Sequence, residues 1–356
     1  MKRFVFSLLV LLFSVVGASA QLKFVDAEQL GLVNKLGPTK NRYHRVDTDK
    51  YDLMQTEANL LRMPAGMALV FRTNSSQIVV RTHYLNYSMV RYSTTGVSQT
   101  GYDLYIRKDG EWMYAGSNAP KNEDAELVLV RNMDDSEKEC LLYLPLFSEL
   151  KRIEIGIDEG AEIEASANPF RHRIVIFGSS FTHGTSTGRP GMSYPMIMQR
   201  NTGLQFISLG VSGNSKLQQS FAAIIGDSAC DAIVVDAFSN PGPEMIRERF
   251  LPFVAAIRKA HPAVPLIFLQ TIYRERANFD LKERAREEEK RRAAREVFEE
   301  AAEIYNDIYF VDEPDLTGTD HITSLDGTHP DDLGYWRWAN AIQPRIVKIL
   351  KKYGIR

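Results

Sequence analysis

Four short runs in the second half of the chain leave little freedom in how it can fold. The segments "RIVIFG" (173–178), "LQFISLG" (204–210), "DAIVVDAF" (231–238) and "VPLIFLQ" (264–270) are almost uninterrupted apolar runs. A strand with one face in water alternates apolar and polar residues, so a run without alternation must be covered on both faces. Helical stretches lie between the runs, and "PEMIRERFLPFVAAIRKAH" (243–261) is the clearest of them. Strands buried on both sides and joined by helices make a parallel α/β sheet. In such a sheet ligands bind beyond the carboxyl ends of the strands, so the strand ends are where chemistry should be sought.

Upstream the pattern differs. "MALVFR" (67–72) and "QIVVRTHY" (77–84) flank Thr73-Asn74-Ser75-Ser76, a set of turn residues that reads as a hairpin turn. "YDLYIRK" (102–108), "EWMYAG" (111–116), "AELVLVR" (125–131), "ECLLYLP" (139–145) and "KRIEIGID" (151–158) continue the series. Several of these alternate as half-buried strands do, and short strands at this spacing imply an antiparallel all-β sandwich. "SANPFRH" (166–172), polar and containing a proline, reads as the junction. The expected domains are an all-β unit over residues 21–168 and an α/β unit over 169–356.

The chain opens with Lys2 and Arg3, an apolar stretch from Phe4 to Val16, and Ala18-Ser19-Ala20. This is the three-part layout of a secretory signal peptide, expected over residues 1–20. A membrane anchor would need about 20 apolar residues, more than the stretch supplies. No later run approaches that length, so no integral span is expected once the leader is removed. The net charge of -2 argues against a nucleic-acid partner, which needs a basic surface. Two distant cysteines, Cys140 and Cys230, make neither a disulfide framework nor a metal-type spacing. Export with so few cysteines fits a bacterial periplasm or cell surface.

The charge-dense segment 274–308 reads as a long helix. Glu287 with Arg291 and Glu288 with Arg292 stand at the stabilising i, i+4 spacing, and Val297, Phe298, Ala301, Ile304, Tyr305 and Ile308 form an apolar stripe. Its early turns are expected in solvent and its last turns on the sheet. Leu333 to Tyr353 also looks helical, with a break or kink expected at Pro344.

The strand ends carry polar residues. The first run stops at Gly178-Ser179-Ser180, the second enters "SLGVSGNS" (208–215), the third enters "DAFSNPGP" (236–243), and "SLDGTHPDDLGY" (324–335) comes late in the chain. Taken singly, each is ordinary turn vocabulary. Taken together, they supply what acyl transfer requires. A serine hydroxyl needs an adjacent base, a histidine base needs a carboxylate to orient it, and the tetrahedral intermediate needs donors aimed at its oxyanion. Ser179 or Ser180 as nucleophile, the pair Asp326 and His329, and the donors of Gly213 and Asn240 can fill these places.

The four blocks resemble those of the SGNH (GDSL-type) hydrolase superfamily. "FGSSFTHG" (177–184) matches the first block with Ser180 as nucleophile, "LGVSGNS" (209–215) the second with Gly213, "AFSNP" (237–241) the third with Asn240, and "DGTHP" (326–330) the last with Asp326 and His329. "GYDLY" (101–105) is similar to the signature of a two-domain, exported bacterial esterase subgroup. The resemblance implies a flavodoxin-like three-layer catalytic domain behind a jelly-roll or sandwich domain. It also implies a cofactor-free, metal-free Ser-His-Asp esterase acting on short acyl esters, acetyl groups above all, of a small molecule or a glycan. The N–H groups of Ser180 and Gly213 and the Asn240 amide would form the oxyanion hole. The rival readings are a lipase or thioesterase, with 274–290 as a cover over the site, and a catalytically silent glycan-binding protein. Relatives carry Asp where this chain has Ser179, whose role the pattern leaves open. His183 reads as a surface or capping residue, and Asp103 as a structural residue of a turn or the domain seam, with a pocket-lining role left open.

Overall fold

In the computed structural model, which describes residues 21–87 and 92–356, the four apolar runs are the strands Arg171–Gly178, Leu204–Gly210, Ala232–Asp236 and Leu266–Leu269. The leader expected over residues 1–20 lies outside the described residues. A fifth strand, Ile308–Val311, was not anticipated. It is short and comes directly after a helical pattern, so Ile308 reads as part of the helix stripe. The helix instead ends at Ile304, and Asp307 turns the chain with a φ of 58°.

All five strands are parallel, in the spatial order second, first, third, fourth, fifth. This is the flavodoxin-like order, and it opens a crevice at the carboxyl ends of the first and third strands. Alternation along the first strand divides two cores. Ile174 and Ile176 join the cluster of Phe181, Tyr194 and Trp338, while Val175 and Phe177 join that of Phe221, Phe253 and Val254.

The upstream unit is a pair of antiparallel sheets. One contains Leu22–Asp26, Glu149–Asp158, Ile78–Asn86 and Leu127–Val130; the other is built on Ala68–Thr73, Lys138–Tyr143, Tyr102–Lys108 and Glu111–Asn118. Ala68–Thr73 and Ile78–Asn86 lie in different sheets, so the turn between them crosses the sandwich and does not close the expected hairpin. Leu69, Phe71, Leu104 and Leu142 of the second sheet share a core with Val80, Ile153 and Ile155 of the first. The other face of the second sheet is covered over its central strands. Ala68, Val70, Tyr105, Leu141 and Tyr143 pack with Phe181, Tyr194 and Met196 of the α/β unit. Covering on both faces explains why "ALVF" and "CLLY" do not alternate, where half-buried strands were expected.

Two helices depart from expectation. Asp332–Leu350 runs through Pro344 without a break. Pro344 is exposed, so the carbonyl that lacks its N–H can meet water. Leu281–Ile304 buries Glu287 and Lys290 in its early half, where solvated turns were expected, and Glu287 pairs with Lys290 rather than Arg291.

Arg45 ties the upstream unit to the parallel sheet. Its guanidinium has no exposure and donates to the carbonyls of Leu60 (2.7 Å), Met63 (2.8 Å), Ser208 (3.2 Å) and Gly210 (2.9 Å). Removing these donors strands buried carbonyls, each worth about 1–3 kcal/mol. Arg45→Met is therefore expected to lower unfolding stability by at least about 3 kcal/mol, read as a fall in the urea midpoint at an unchanged m-value.

Candidate active site

The turn after Gly178 separates the two serines. Ser179 is the N-cap of the short helix Ser180–His183, and its buried Oγ accepts from the Phe181 N–H at 3.3 Å. Serine and aspartate are both favoured N-caps, which accounts for Ser179 at a position where relatives carry Asp. The Ser180 hydroxyl is left for another partner, and Ser180 Oγ lies 2.8 Å from His329 Nε2.

His329 is held by a loop that closes on itself. The Leu325 N–H donates to the His329 carbonyl at 3.0 Å, and Ser324 pairs with Pro330 as an isolated bridge. Asp326 Oδ1 accepts from the N–H groups of Thr328 (2.9 Å) and His329 (2.7 Å), and Oδ2 lies 2.8 Å from His329 Nδ1. With Nδ1–H donated to Asp326, Nε2 is the acceptor for the Ser180 hydroxyl. Burial alone would raise the Asp326 carboxyl. The hydrogen bonds from the His329 ring and backbone outweigh it and hold the group below the usual carboxylate value, so it stays ionised beside the ring.

The oxyanion donors come from two neighbouring loops. Gly213 has a φ of 75°, a left-handed conformation that L side chains rarely adopt. The N–H groups of Ser180 and Gly213 have no hydrogen-bond partner among the described residues. Asn240 Oδ1 accepts from the Ser215 N–H (3.2 Å) and Oγ–H (3.0 Å). That fixes the amide orientation and leaves Nδ2 as a donor with no partner among the described residues. The structure thus joins Ser180, His329 and Asp326 in one line, and ties Asn240 to the loop of Gly213.

Several positioning groups escaped the sequence reading. Ser215 was visible only as a turn residue. Arg274 donates to the Thr328 carbonyl at 2.7 Å, and the Arg276 N–H to the Gly327 carbonyl at 2.9 Å, so the segment expected as a cover is packed on the histidine loop. Lys290 donates to the Ser239 carbonyl at 3.0 Å, beside Asn240. Nothing in the charge pattern of the helix sets Glu287 and Lys290 apart from their solvated neighbours. His183 is also buried, not superficial: Nε2 lies 2.7 Å from the Leu146 carbonyl and the ring stacks on Phe147 at 4.3 Å.

Beneath the nucleophile's helix, Asp236 Oδ2 accepts from the Thr182 hydroxyl (2.9 Å) and the Tyr194 hydroxyl (3.0 Å). Its Oδ1 has no partner among the described residues, and burial raises the carboxyl to about 7.

Comparison with known proteins agrees with this architecture. Residues 171–347 match the family model described as GDSL-like lipase/acylhydrolase, and residues 22–163 match the one described as the N-terminus of SGNH-hydrolase-type esterases. No curated protein matches significantly. Among solved structures, a protein described as a GDSL-like lipase from Bacteroides ovatus is 41% identical, with a TM-score of 0.91, covering 93% of this chain and 98% of that one. The salicylyl-acyltransferase of a tetracycline biosynthetic pathway is 20% identical, with a TM-score of 0.73 and coverages of 94% and 99%. A family two carbohydrate esterase from Cellvibrio japonicus is 12% identical, with a TM-score of 0.59 and coverages of 93% and 98%. The last two likenesses are of fold.

The Asp236 carboxyl gives a pH prediction. Its folded value, about 7, lies above the ordinary 3.8, so the unfolded chain releases this proton first as pH rises. The stability it contributes is full below about pH 4 and is lost as pH rises towards 7. Denaturant unfolding across that window should show a falling stability in the parent protein and a flatter profile in Asp236→Asn.

Proposed function

Because the chain belongs to the GDSL-like lipase/acylhydrolase family and is an ester-hydrolysing enzyme, we propose that it is an exported serine esterase that removes short acyl groups, acetyl above all, from carbohydrates. The observation that carries the catalytic part is the relay of two 2.8 Å contacts, Ser180 Oγ to His329 Nε2 and His329 Nδ1 to Asp326 Oδ2.

The relay sets the steps. Ser180 Oγ attacks the ester carbonyl as His329 Nε2 takes its proton. Asp326 holds the ring in the tautomer that can accept it and stabilises the imidazolium that forms. The Ser180 and Gly213 N–H groups and Asn240 Nδ2 receive the oxyanion. The intermediate collapses, and His329 gives its proton to the leaving alcohol. Water, deprotonated by the same ring, then attacks the acyl-enzyme, and Ser180 is released with the carboxylic acid. No step needs a metal or a cofactor.

Two supports bear on the substrate. The leader layout at residues 1–20 supports export to the periplasm or cell surface, where glycan esters are met. Family two carbohydrate esterases share the two-part fold, a likeness in architecture.

The test is a p-nitrophenyl ester series from acetate to long acyl chains, followed by acetate release from acetylated sugars. Fastest turnover on acetate supports the proposal, and a preference for long chains favours a lipase or thioesterase. Glycan binding without hydrolysis would make the chain a silent binding protein. Ser180→Ala is expected to lower kcat by about a million-fold. Asn240→Ala should lower it by about 100- to 1,000-fold, with KM little changed.

A further inference from the structure

The strand Tyr102–Lys108 alternates across the second antiparallel sheet. Tyr102 and Leu104 enter the sandwich core, whereas Tyr105 joins the cluster shared with the α/β unit. Asp103 therefore points to the seam, where it has no exposure. Both of its oxygens accept from Arg189 Nη1 at 2.8 Å, and Oδ2 also accepts from the Gly191 N–H at 2.9 Å. The Tyr105 hydroxyl accepts from the same Nη1 at 2.5 Å, and the guanidinium lies 4.4 Å from the Tyr114 ring centroid.

Arg189 and Gly191 belong to the segment that leaves the nucleophile's helix. More of the β unit grips this segment. Thr95 Oγ1 donates to the Gly188 carbonyl at 2.6 Å, Thr94 Oγ1 accepts from the Ser186 N–H at 2.9 Å, and the hydroxyls of Ser98 and Thr187 meet at 2.6 Å. The segment in turn touches both halves of the relay. The Gly184 and Thr185 N–H groups donate to the Ser180 carbonyl at 3.0 and 2.9 Å. The Tyr335 hydroxyl donates to the Thr185 carbonyl at 2.7 Å, and the Gly188 N–H to Asp332 Oδ1 at 2.8 Å. Asp332 and Tyr335 lie on the first turn of the helix that begins just after His329.

We propose that Asp103, through Arg189, is a positioning residue for the Ser180–His329 contact, so that the β unit is a working part of the catalytic site. The buried carboxylate clamps a strap, residues 184–193, that spans the nucleophile's helix and the base's helix. Loosening the clamp lets the two helices drift apart. Misplacement by about 1 Å from a distant change can cost about 100-fold in rate. This proposal rests on the serine esterase reading.

Asp103→Asn keeps the shape and removes the charge. Two quantities are measured on folded protein: kcat and KM for p-nitrophenyl acetate, and the rate at which a small fluorophosphonate modifies Ser180. The second reads nucleophile activation without an acyl substrate. Both kcat and the phosphonylation rate should fall together by about 10- to 100-fold, with KM nearly unchanged. Arg189→Lys, which keeps a cation, should retain more activity than Arg189→Met, and this pair serves if Asp103→Asn fails to fold. Asp158→Asn, which breaks a carboxylate cluster with Ser75, Ser76 and Gln77 inside the β unit, is the stability control and should leave kcat unchanged. A lower melting temperature with kcat and phosphonylation unchanged in the Asp103 and Arg189 variants overturns the proposal. So does a raised KM at unchanged kcat, which would make Asp103 a substrate wall. A wild-type protein inert to both reagents overturns the esterase reading as well, whereas an active wild type beside unaffected variants overturns the proposal alone.

Discussion

The turn at Gly178 is the constraint on which the site depends. A Cβ there would come within 2.0 Å of Thr182 Oγ1 and 2.9 Å of the Asp236 carbonyl. Only glycine lets the strand Arg171–Gly178 fold straight into the helix of Ser180 while the third strand runs alongside. The approach brings Thr182 over Asp236 and lets the Val211 N–H reach the Gly178 carbonyl at 2.9 Å. The first three strand ends are thereby registered to one another. Ser180, Gly213 and Asn240, one in the loop or turn beyond each of these ends, inherit their places from that registration.

The outer part of the site is held by long cations rather than by regular secondary structure. Arg274 and Lys290 donate to the Thr328 and Ser239 carbonyls, one on the histidine loop and one on the asparagine loop. Glu287, almost fully buried between them, bonds Lys290 and lies 3.8 Å from Arg274. A buried charge is costly unless paired, so three such groups must stay together. Loops with no apolar side to bury are fixed in this way to a helix that has one.

The strongly patterned parts of the fold were legible in the sequence, and the context-dependent parts were not. Unbroken apolar runs announced four of the five parallel strands, because burial on both faces removes alternation. Ile308–Val311 escaped because four residues at a sheet edge carry too little pattern to stand apart from the helix before them. Ser180, Gly213, Asn240, Asp326 and His329 could be proposed together because small polar residues beyond three strand ends, followed late in the chain by an aspartate three residues before a histidine, have few other joint uses. Ser179, Ser215 and His183 were not legible, since capping, amide orientation and stacking depend on neighbours distant in the chain. Glu287 and Lys290 looked like a solvated face, because charge pattern alone cannot show that Arg274 and the Ser239 carbonyl will meet them.

The two-unit organisation obeys the same accounting of faces. The second antiparallel sheet has apolar residues on both sides, and a free β unit would expose Val70, Leu141 and Tyr143 to water. Separation would also strand Asp103 without Arg189, and would leave Arg45 without the Ser208 and Gly210 carbonyls. The α/β unit would lose the cover over Phe181 and Tyr194, the residues packed against the nucleophile's turn. A tethered module with its own closed surface would show none of these dependences. The seam is thus continuous with the core of Ile174, Ile176 and Trp338, and the polar groups embedded in it grip the strap that connects serine to histidine.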